Sequence, residues 1–430
     1  MRYELFSRRR AQRHRRAVSP VNGRVALAAA EPAFTPRPGA GRTLAVAGLV
    51  HALHDGFTSS IYVLLPVWQA QFGFSYSALA MIRALYIGAL AGLQIPSSRL
   101  GRWLGIRAVL TIGTLLATAG FVLSGASVGI VGLGAALMLA GAGSSTQHPL
   151  ASSAISRVYG EAARGPLGTY NFAGDLGKAT LPPALALLLG VLDWRSALWA
   201  LAGLGAAVAL LVVWMMPPLA NVRTKSETPS TSAAPQAHHS GHGTGFNLLI
   251  AIGVLDSAVG VGLLLFLPAL LQFKGGTTAG LGLALSLLFV GGACGKFACG
   301  WLGARFGILA TVIATEAGTA AAILALLVLP LVPGLALLPV LGVMLNGTSS
   351  VLYGTVPELA PAQRIEHAFA VFYSCTLGSS ALAPVLYGWL GDAVGPHWSV
   401  AAAATTALAV VPLVIQLSPR LAPSPPEARN

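Results

Sequence analysis

The sequence predicts an all-α polytopic membrane protein with twelve transmembrane helices in two pseudo-symmetric six-helix bundles. Three observations carry that expectation. The 430 residues are 55% hydrophobic and only 9% charged, with a mean hydropathy of +0.73, whereas a soluble domain carries about 25% charged residues. Apolar runs of about 20 residues, the length that crosses a hydrocarbon core, recur along nearly the whole chain. The two halves of the chain also repeat one another at a nearly constant offset.

The runs fall at 44–71, 77–97, 108–126, 129–155, 165–190 and 196–216, and then at 246–272, 278–302, 308–329, 333–356, 366–390 and 397–417. Between the two sets, residues 217–245 are rich in Pro, Ser, Thr and Ala and open on Pro217-Pro218, the composition of a flexible polar linker. The expected domains are therefore a bundle at 44–216, a linker at 217–245 and a bundle at 246–418, with a tail at 419–430.

The repeat is visible in ordered pairs. Leu65-Pro66 and Phe72 in span 1 match Leu267-Pro268 and Phe273 in span 7, and Gly105-Ile106 after span 2 matches Gly307-Ile308 after span 8. Ser144-Ser145 in span 4 matches Ser349-Ser350 in span 10, and Leu176-Gly177 with Pro183 in span 5 matches Leu377-Gly378 with Pro384 in span 11, all at offsets of 201 to 205 residues. Four matches in order mark an internal duplication. Parallel repeats of six spans are the plan of major facilitator transporters, which bind cargo between the halves near the bilayer midplane.

Net charge is +13, and ten of the 26 basic residues precede residue 43. Residues 1–43 read as a disordered cytosolic arm that touches anionic lipid. A start codon placed too early is the next alternative, and nucleic-acid binding the least favoured. No signal-peptide pattern is present. Loops on the N-terminal side hold Arg99, Arg102, Arg107, Arg157, Arg164, Arg223, Lys225, Arg305 and Arg364, against Arg195 and Lys274 opposite. Positive charge collects in cytoplasmic loops, so both termini and the linker are expected in the cytoplasm of a multi-pass inner (plasma) membrane protein.

Ionisable residues deep in apolar spans carry the functional signal, because a charge at bilayer depth costs at least a few kcal/mol and so faces a bundle interior or watery cavity. Asp55, Arg83, Asp175, Lys178, Asp256, Lys296 and Glu316 are such residues. Asp55 and Asp175 lie about eleven residues, roughly 16 Å, from the cytoplasmic ends of their spans. His51 and Asp55 share a face of span 1, Asp175 and Lys178 share a face of span 5, and His148 sits in span 4. Together they form a titratable, mixed-charge cluster suited to proton coupling.

Asp55, Asp175, His51 and His148 are the proton-coupling candidates. Arg83, Lys178, Asn171, Tyr170, Asp256 and Tyr353 are the substrate-binding candidates. Asp175 and Lys178 could alternatively form a packing pair, Arg83 could snorkel outward, and Lys296 with Glu316, on adjacent spans, reads as a structural pair. The glycines of Gly141-Ala-Gly-Ser-Ser145 and Gly174-Asp-Leu-Gly177 let helix backbones approach, and Pro182-Pro183 is expected to bend span 5. Cys294, Cys299 and Cys375 fit neither a zinc site nor a disulfide framework. His238, His239 and His242 read as solvated linker residues, so no metal or other cofactor is expected. No nucleophile triad or paired carboxylates with catalytic spacing are seen, and an enzyme is not expected.

His51-Ala-Leu-His-Asp55, Leu65-Pro66, Phe74-Ser75, Gln94-Ile-Pro96, Gly141-Ala-Gly-Ser-Ser-Thr-Gln-His-Pro149 and Gly174-Asp-Leu-Gly-Lys-Ala-Thr-Leu-Pro182 resemble fosmidomycin-resistance-type transporters of the major facilitator superfamily. The resemblance is clearest over residues 50–190. It implies an inner-membrane drug:proton antiporter conferring drug resistance, with His51, Asp55, His148 and Asp175 in or beside the path. Three positions depart from the pattern: Arg102 and Ala304 stand where the superfamily's loop usually carries Asp, and Leu150 replaces an acidic residue.

The expectation is thus proton-coupled efflux of a small anionic or zwitterionic molecule by alternating access, driven by the proton gradient. The partners expected are a small-molecule substrate and membrane lipids, with no nucleic acid, for a monomer. Organic-anion uptake by proton symport is the runner-up. A non-transporting membrane sensor or scaffold is the rival from another class, which should lose its output on deletion of residues 1–40 and the linker histidines.

Overall fold

The computed structural model describes residues 37–218, 240–360 and 365–421. Most of the basic arm, the linker segment with His238 and His239, the His242 side chain, Arg364 and residues 422–430 lie outside the described residues.

The described chain is α-helical. In order come α1 (Ala40–Phe72), α2 (Tyr76–Gly92), α3 (Gln94–Leu104), α4 (Ile106–Ala126), α5 (Ile130–Ser144), α6 (Gln147–Tyr159), α7 (Arg164–Leu188) and α8 (Trp194–Met215). They are followed by α9 (Ser240–Phe273), α10 (Thr278–Phe306), α11 (Ile308–Val328), α12 (Leu331–Leu359), α13 (Ile365–Val394) and α14 (Pro396–Leu417). Counting α5–α6 as one, nine helical spans among the described residues are long and apolar enough to cross a membrane, or ten with the bent pair α2–α3. The long helices outside that set are α1 and α7, which carry His51, Asp55, Asp175 and Lys178.

Turn chemistry sets the ends of the helices. The chain leaves α1 through Gly73 at φ 69°, and Ser75 caps α2 by accepting from the Ala78 amide. Thr277, at the repeat-equivalent position, caps α10 by accepting from the Gly280 amide. Gly105 and Gly307, with φ of 87° and 82°, make the same sharp turn in each half, where a residue with a Cβ would be strained.

The halves differ in continuity. Spans 2 and 4 are each broken, the first with a 46° bend between α2 and α3, whereas α10 and α12 run through. Pro96 and Pro149 explain the breaks. Each sits third in the following helix, where proline is tolerated, but lacks the N–H that would bond the carbonyl four residues earlier. Offsets of 202 and 205 residues place Ala298 and Gly354 at the equivalent sites, and both keep that bond donor. Pro182 and Pro183 lie inside an α7 that runs unbroken to Leu188.

Packing repeats with the sequence. α1 lies on α7 as α9 lies on α13, α2 on α5 as α10 on α12, and α4 on α8 as α11 on α14. The two sets meet along α2–α13 and α7–α10, contacts that exchange under the repeat. At the end away from the N terminus, one apolar core runs through both sets, including Ile61, Trp68, Leu185, Phe266, Leu285 and Leu288. There the Asp392 carboxylate on α13 accepts from the Tyr76 and Ser77 amides at 2.7 and 3.0 Å. At the N-terminal-side end the cores are separate. Ala47, Ala151, Ile155 and Tyr170 pack in one set, and Leu249, Val312, Val356 and Phe372 in the other. The molecule is sealed at one face and parted at the other.

Candidate functional site

The parted face leads to a chain of charges across both sets of helices. On α1, Asp55 Oδ2 lies 3.3 Å from His51 Nε2 and 3.0 Å from Lys178 Nζ on α7. Its Oδ1 is 3.9 Å from His148 Nε2 on α6. Lys178 reaches Asp175 at 3.4 Å, and Lys296 of α10 holds both Asp175 oxygens at 2.7 Å. Side-chain exposure is 4% at His51, 13% at Asp55 and 10% at Asp175, against 35% at His148 and 40% at Lys296. One end of the network is buried and the other meets the opening.

Two glycines make this arrangement possible. A Cβ at Gly174 would fall 2.5 Å from His51 Nε2 and 2.8 Å from Asp55 Oδ2, and one at Gly177 would strike the Ala52 carbonyl. Close backbone approach therefore brings the α1 carboxylate within reach of the α7 ammonium.

The protonation of His51 follows from its partners. Its Nδ1 lies 2.8 Å from the Tyr170 carbonyl oxygen, which can only accept, so Nδ1 carries a hydrogen. In the neutral ring Nε2 then presents a lone pair to a carboxylate 3.3 Å away. A second proton turns that contact into a charge-assisted hydrogen bond. The Tyr170 ring covers His51 at 4.2 Å, and its hydroxyl accepts from Gln147.

His51, Asp55 and His148 offer three ligand atoms within 4.8 Å of one another. The Asp55 carboxylate already carries the Lys178 ammonium, however, and we assign no metal there.

The other expected residues divide. Asp256 and Tyr353 meet at a cavity of about 160 Å³ within the second set. The Asp256 carboxyl accepts from Ser349 Oγ at 3.1 Å and lies beside the Glu316 carboxyl. The expected Lys296–Glu316 pair does not exist. Lys296 turns across to Asp175, and Glu316 turns inward to Asp256. Arg83 does not snorkel: it is 4% exposed, donates to the Ser380 carbonyl at 3.0 Å and stacks over Tyr62, tying α2 to α13. Asn171 lies on an exposed face of α7, apart from the cluster. Leu150, at the departure noted above, packs on Gly101 of α3.

Two features were missed in the sequence. Lys296 belongs to the central network, and its signal was only a lone cation in an apolar span. His54 is buried between Ser144 Oγ at 2.9 Å and Thr114 Oγ1 at 3.2 Å, and holds α1 to α4 and α5.

A bundle of membrane helices, parted at one face around a buried mixed-charge path, defines a solute transporter rather than an enzyme. The family model for the Major Facilitator Superfamily matches residues 47–375, more than half of the chain, and the chain belongs to that superfamily. It is a secondary-active transporter that moves a small molecule by alternating access. Monocarboxylate transporter 11 of Mus musculus is 26% identical over 388 residues, covering 85% of this chain and 84% of that protein. The Homo sapiens protein of the same name is 27% identical over 287 residues, covering 63% and 58%.

Among solved structures, a bacterial homologue of the human lysosomal transporter Spinster, inward-facing and occupied, superposes with a TM-score of 0.73 at 14% identity. That match covers 90% of this chain and 98% of the other. A variant of the nucleoside transporter NupG gives 0.72 at 12% identity, covering 87% and 99%. These similarities define the fold. They do not single out the fosmidomycin-resistance group within the superfamily.

Proposed function

We propose that the protein carries a small organic anion together with a proton. In this reading α1 and α7 cross the membrane with the other spans, giving twelve crossings in two six-helix halves that rock about the charge network. The N-terminal-side opening faces the cytoplasm, as the loop charges favour.

The observation that carries the reading is the 3.3 Å His51–Asp55 contact, with Nδ1 bonded to the Tyr170 carbonyl and Nε2 turned to the carboxylate. With both histidines neutral, Asp55 and Asp175 are balanced by Lys178 and Lys296. Adding a proton leaves one positive charge in a low-dielectric chamber, and an anion then neutralises it. Lys296, the most exposed of these groups, is the natural contact for that anion. Proton and anion therefore favour each other's binding, the thermodynamic basis of coupling.

This logic favours co-transport over the proton-for-drug exchange implied by the fosmidomycin-type resemblance. The monocarboxylate transporters among the relatives point the same way. Direction then follows the gradients, so the same carrier can export or import.

The test is a panel of monocarboxylates and phosphonates in proteoliposomes under an imposed pH difference, with Asp55→Asn vesicles as the control for passive leakage. Co-transport predicts that the carried acid accumulates on the alkaline side beyond the control. Accumulation on the acidic side would establish exchange instead.

A further inference from the structure

The cavity of about 160 Å³ between α9, α12 and α13 has a chemistry that the proton-and-anion reading does not use. It is lined by Asp256, Ser257, Ser349, Tyr353, Tyr373 and Ser380, among others. A known apolar cavity of about 150 Å³ holds benzene, so this one takes a group of about six heavy atoms. Its wall combines a carboxylate, several hydroxyls and aromatic rings, with Tyr353 edge-on to Phe372 at 5.2 Å.

The carboxylate lacks a counter-ion. Asp256 is 8% exposed and Glu316 2%, and two buried carboxyl groups side by side repel one another when both are ionised, so they share one proton. The pair therefore keeps one negative charge. The groups facing it are Ser349 and Thr348 from α12, with Tyr353 nearby. Among the described residues no Lys, Arg or His lies within ion-pair distance of either acid. A buried charge without a partner is costly, and an ammonium group is the partner this wall would accept, through the carboxylate and the aromatic faces together.

The cavity wall also touches the first set of helices. The Ser380 carbonyl on its wall accepts from Arg83 of α2 at 3.0 Å.

We infer that this cavity is an ammonium subsite, and that the cargo is a zwitterion whose amine sits at Asp256 while its carboxylate meets Lys296. The carboxylate end rests on the reading above; the ammonium end rests on the cavity alone. Charge closes on this assignment. The empty site has a balanced network plus one unbalanced negative charge at the acid pair. One proton and one zwitterion bring the whole to neutrality, whereas a proton with a simple monocarboxylate leaves the negative charge uncompensated.

The experiment is calorimetric binding to the purified full-length protein in detergent. The probes are butyrate, butylamine, 4-aminobutyrate and the other ω-amino carboxylates of two to eight carbons, each against its parent acid. The best-fitting amino acid should bind at least about tenfold tighter than its parent, a difference of 1.4 kcal/mol or more. Asp256→Asn should remove that advantage and the butylamine binding, and Tyr353→Leu should weaken butylamine several-fold, with gel-filtration profiles confirming that both variants fold. Equal binding of amino acids and parents across the wild-type series would overturn the subsite, as would an advantage that survives in Asp256→Asn. If butylamine binds in an Asp256-dependent way and no carboxylate binds, the subsite stands and the anion reading falls.

Discussion

The two halves share one helical plan but spend their polar residues differently. In the first, two acids, two histidines and Lys178 converge where α1, α6 and α7 meet, and prolines break spans 2 and 4 around them. In the second, the helices run continuously, Lys296 reaches out to the first half, and the Asp256–Glu316 pair stays behind with no cation. A duplicated scaffold supplies the symmetry that rocking needs. The chemistry is asymmetric, with a network of acids, histidines and lysine on one side and an acid-and-aromatic cavity on the other.

The sharpest way to break this comparison is Asp55→Asn. It should lower proton-coupled flux about 100-fold or more, the scale on which loss of a proton-transfer group acts, while transport-dead protein still reaches the membrane folded. Retention of proton-driven flux would remove Asp55 from the mechanism.

Repeat-equivalent glycines provide the next test. Gly177→Ala drives a methyl into the Ala52 carbonyl and should cost about 1–3 kcal/mol, read as a lower melting temperature. Gly378 has open space around its Cβ position, so Gly378→Ala should be neutral or stabilising by up to about 1 kcal/mol. Equal effects at both sites would mean that the close α1–α7 approach is not special.

Asp175→Asn removes the carboxylate that ties Lys296 to the first half. A hydrogen bond to a charged group contributes about 1.5–3 kcal/mol, and the exposure of Lys296 argues for the lower end. Spin-label distances across the parted face should then show roughly a tenfold shift in the balance of open and closed forms, consistent with about 1.4 kcal/mol. An unchanged distance distribution would demote the ion pair to decoration.

The smallest effect is expected at Asp392→Ala. It removes the cap that α13 places on α2 and should cost about 1 kcal/mol, seen as easier opening of the sealed face by the same spin labels. A sealed face as stable as in the wild type would show that the apolar core alone holds it.

Much of the helical plan was legible because hydropathy and the repeated Leu-Pro, Gly-Ile and Leu-Gly pairs are local signals. The same signals explain the weak points. α1 and α7 are the least apolar of the long helices, because they carry the polar cluster. The breaks at Pro96 and Pro149 are within reach of the sequence, since a missing N–H in mid-span is visible in the chain. The grouping of His51, Asp55, His148, Asp175 and Lys178 was legible from helix periodicity once spans 1, 4 and 5 were assumed to line one cavity. The partners of Lys296 and Glu316 were not. Lys296 meets Asp175 across 121 residues, and spans adjacent in sequence suggested the wrong neighbour because the contact depends on how the halves meet.

The most direct measurement follows lumenal pH with a trapped fluorescent indicator as a carried anion is added outside proteoliposomes. The wild-type protein should acidify the lumen in step with anion entry, and Asp55→Asn should move neither proton nor anion beyond leakage. Anion entry without acidification in the wild type, or full acidification in Asp55→Asn, would contradict a proton held between His51 and Asp55.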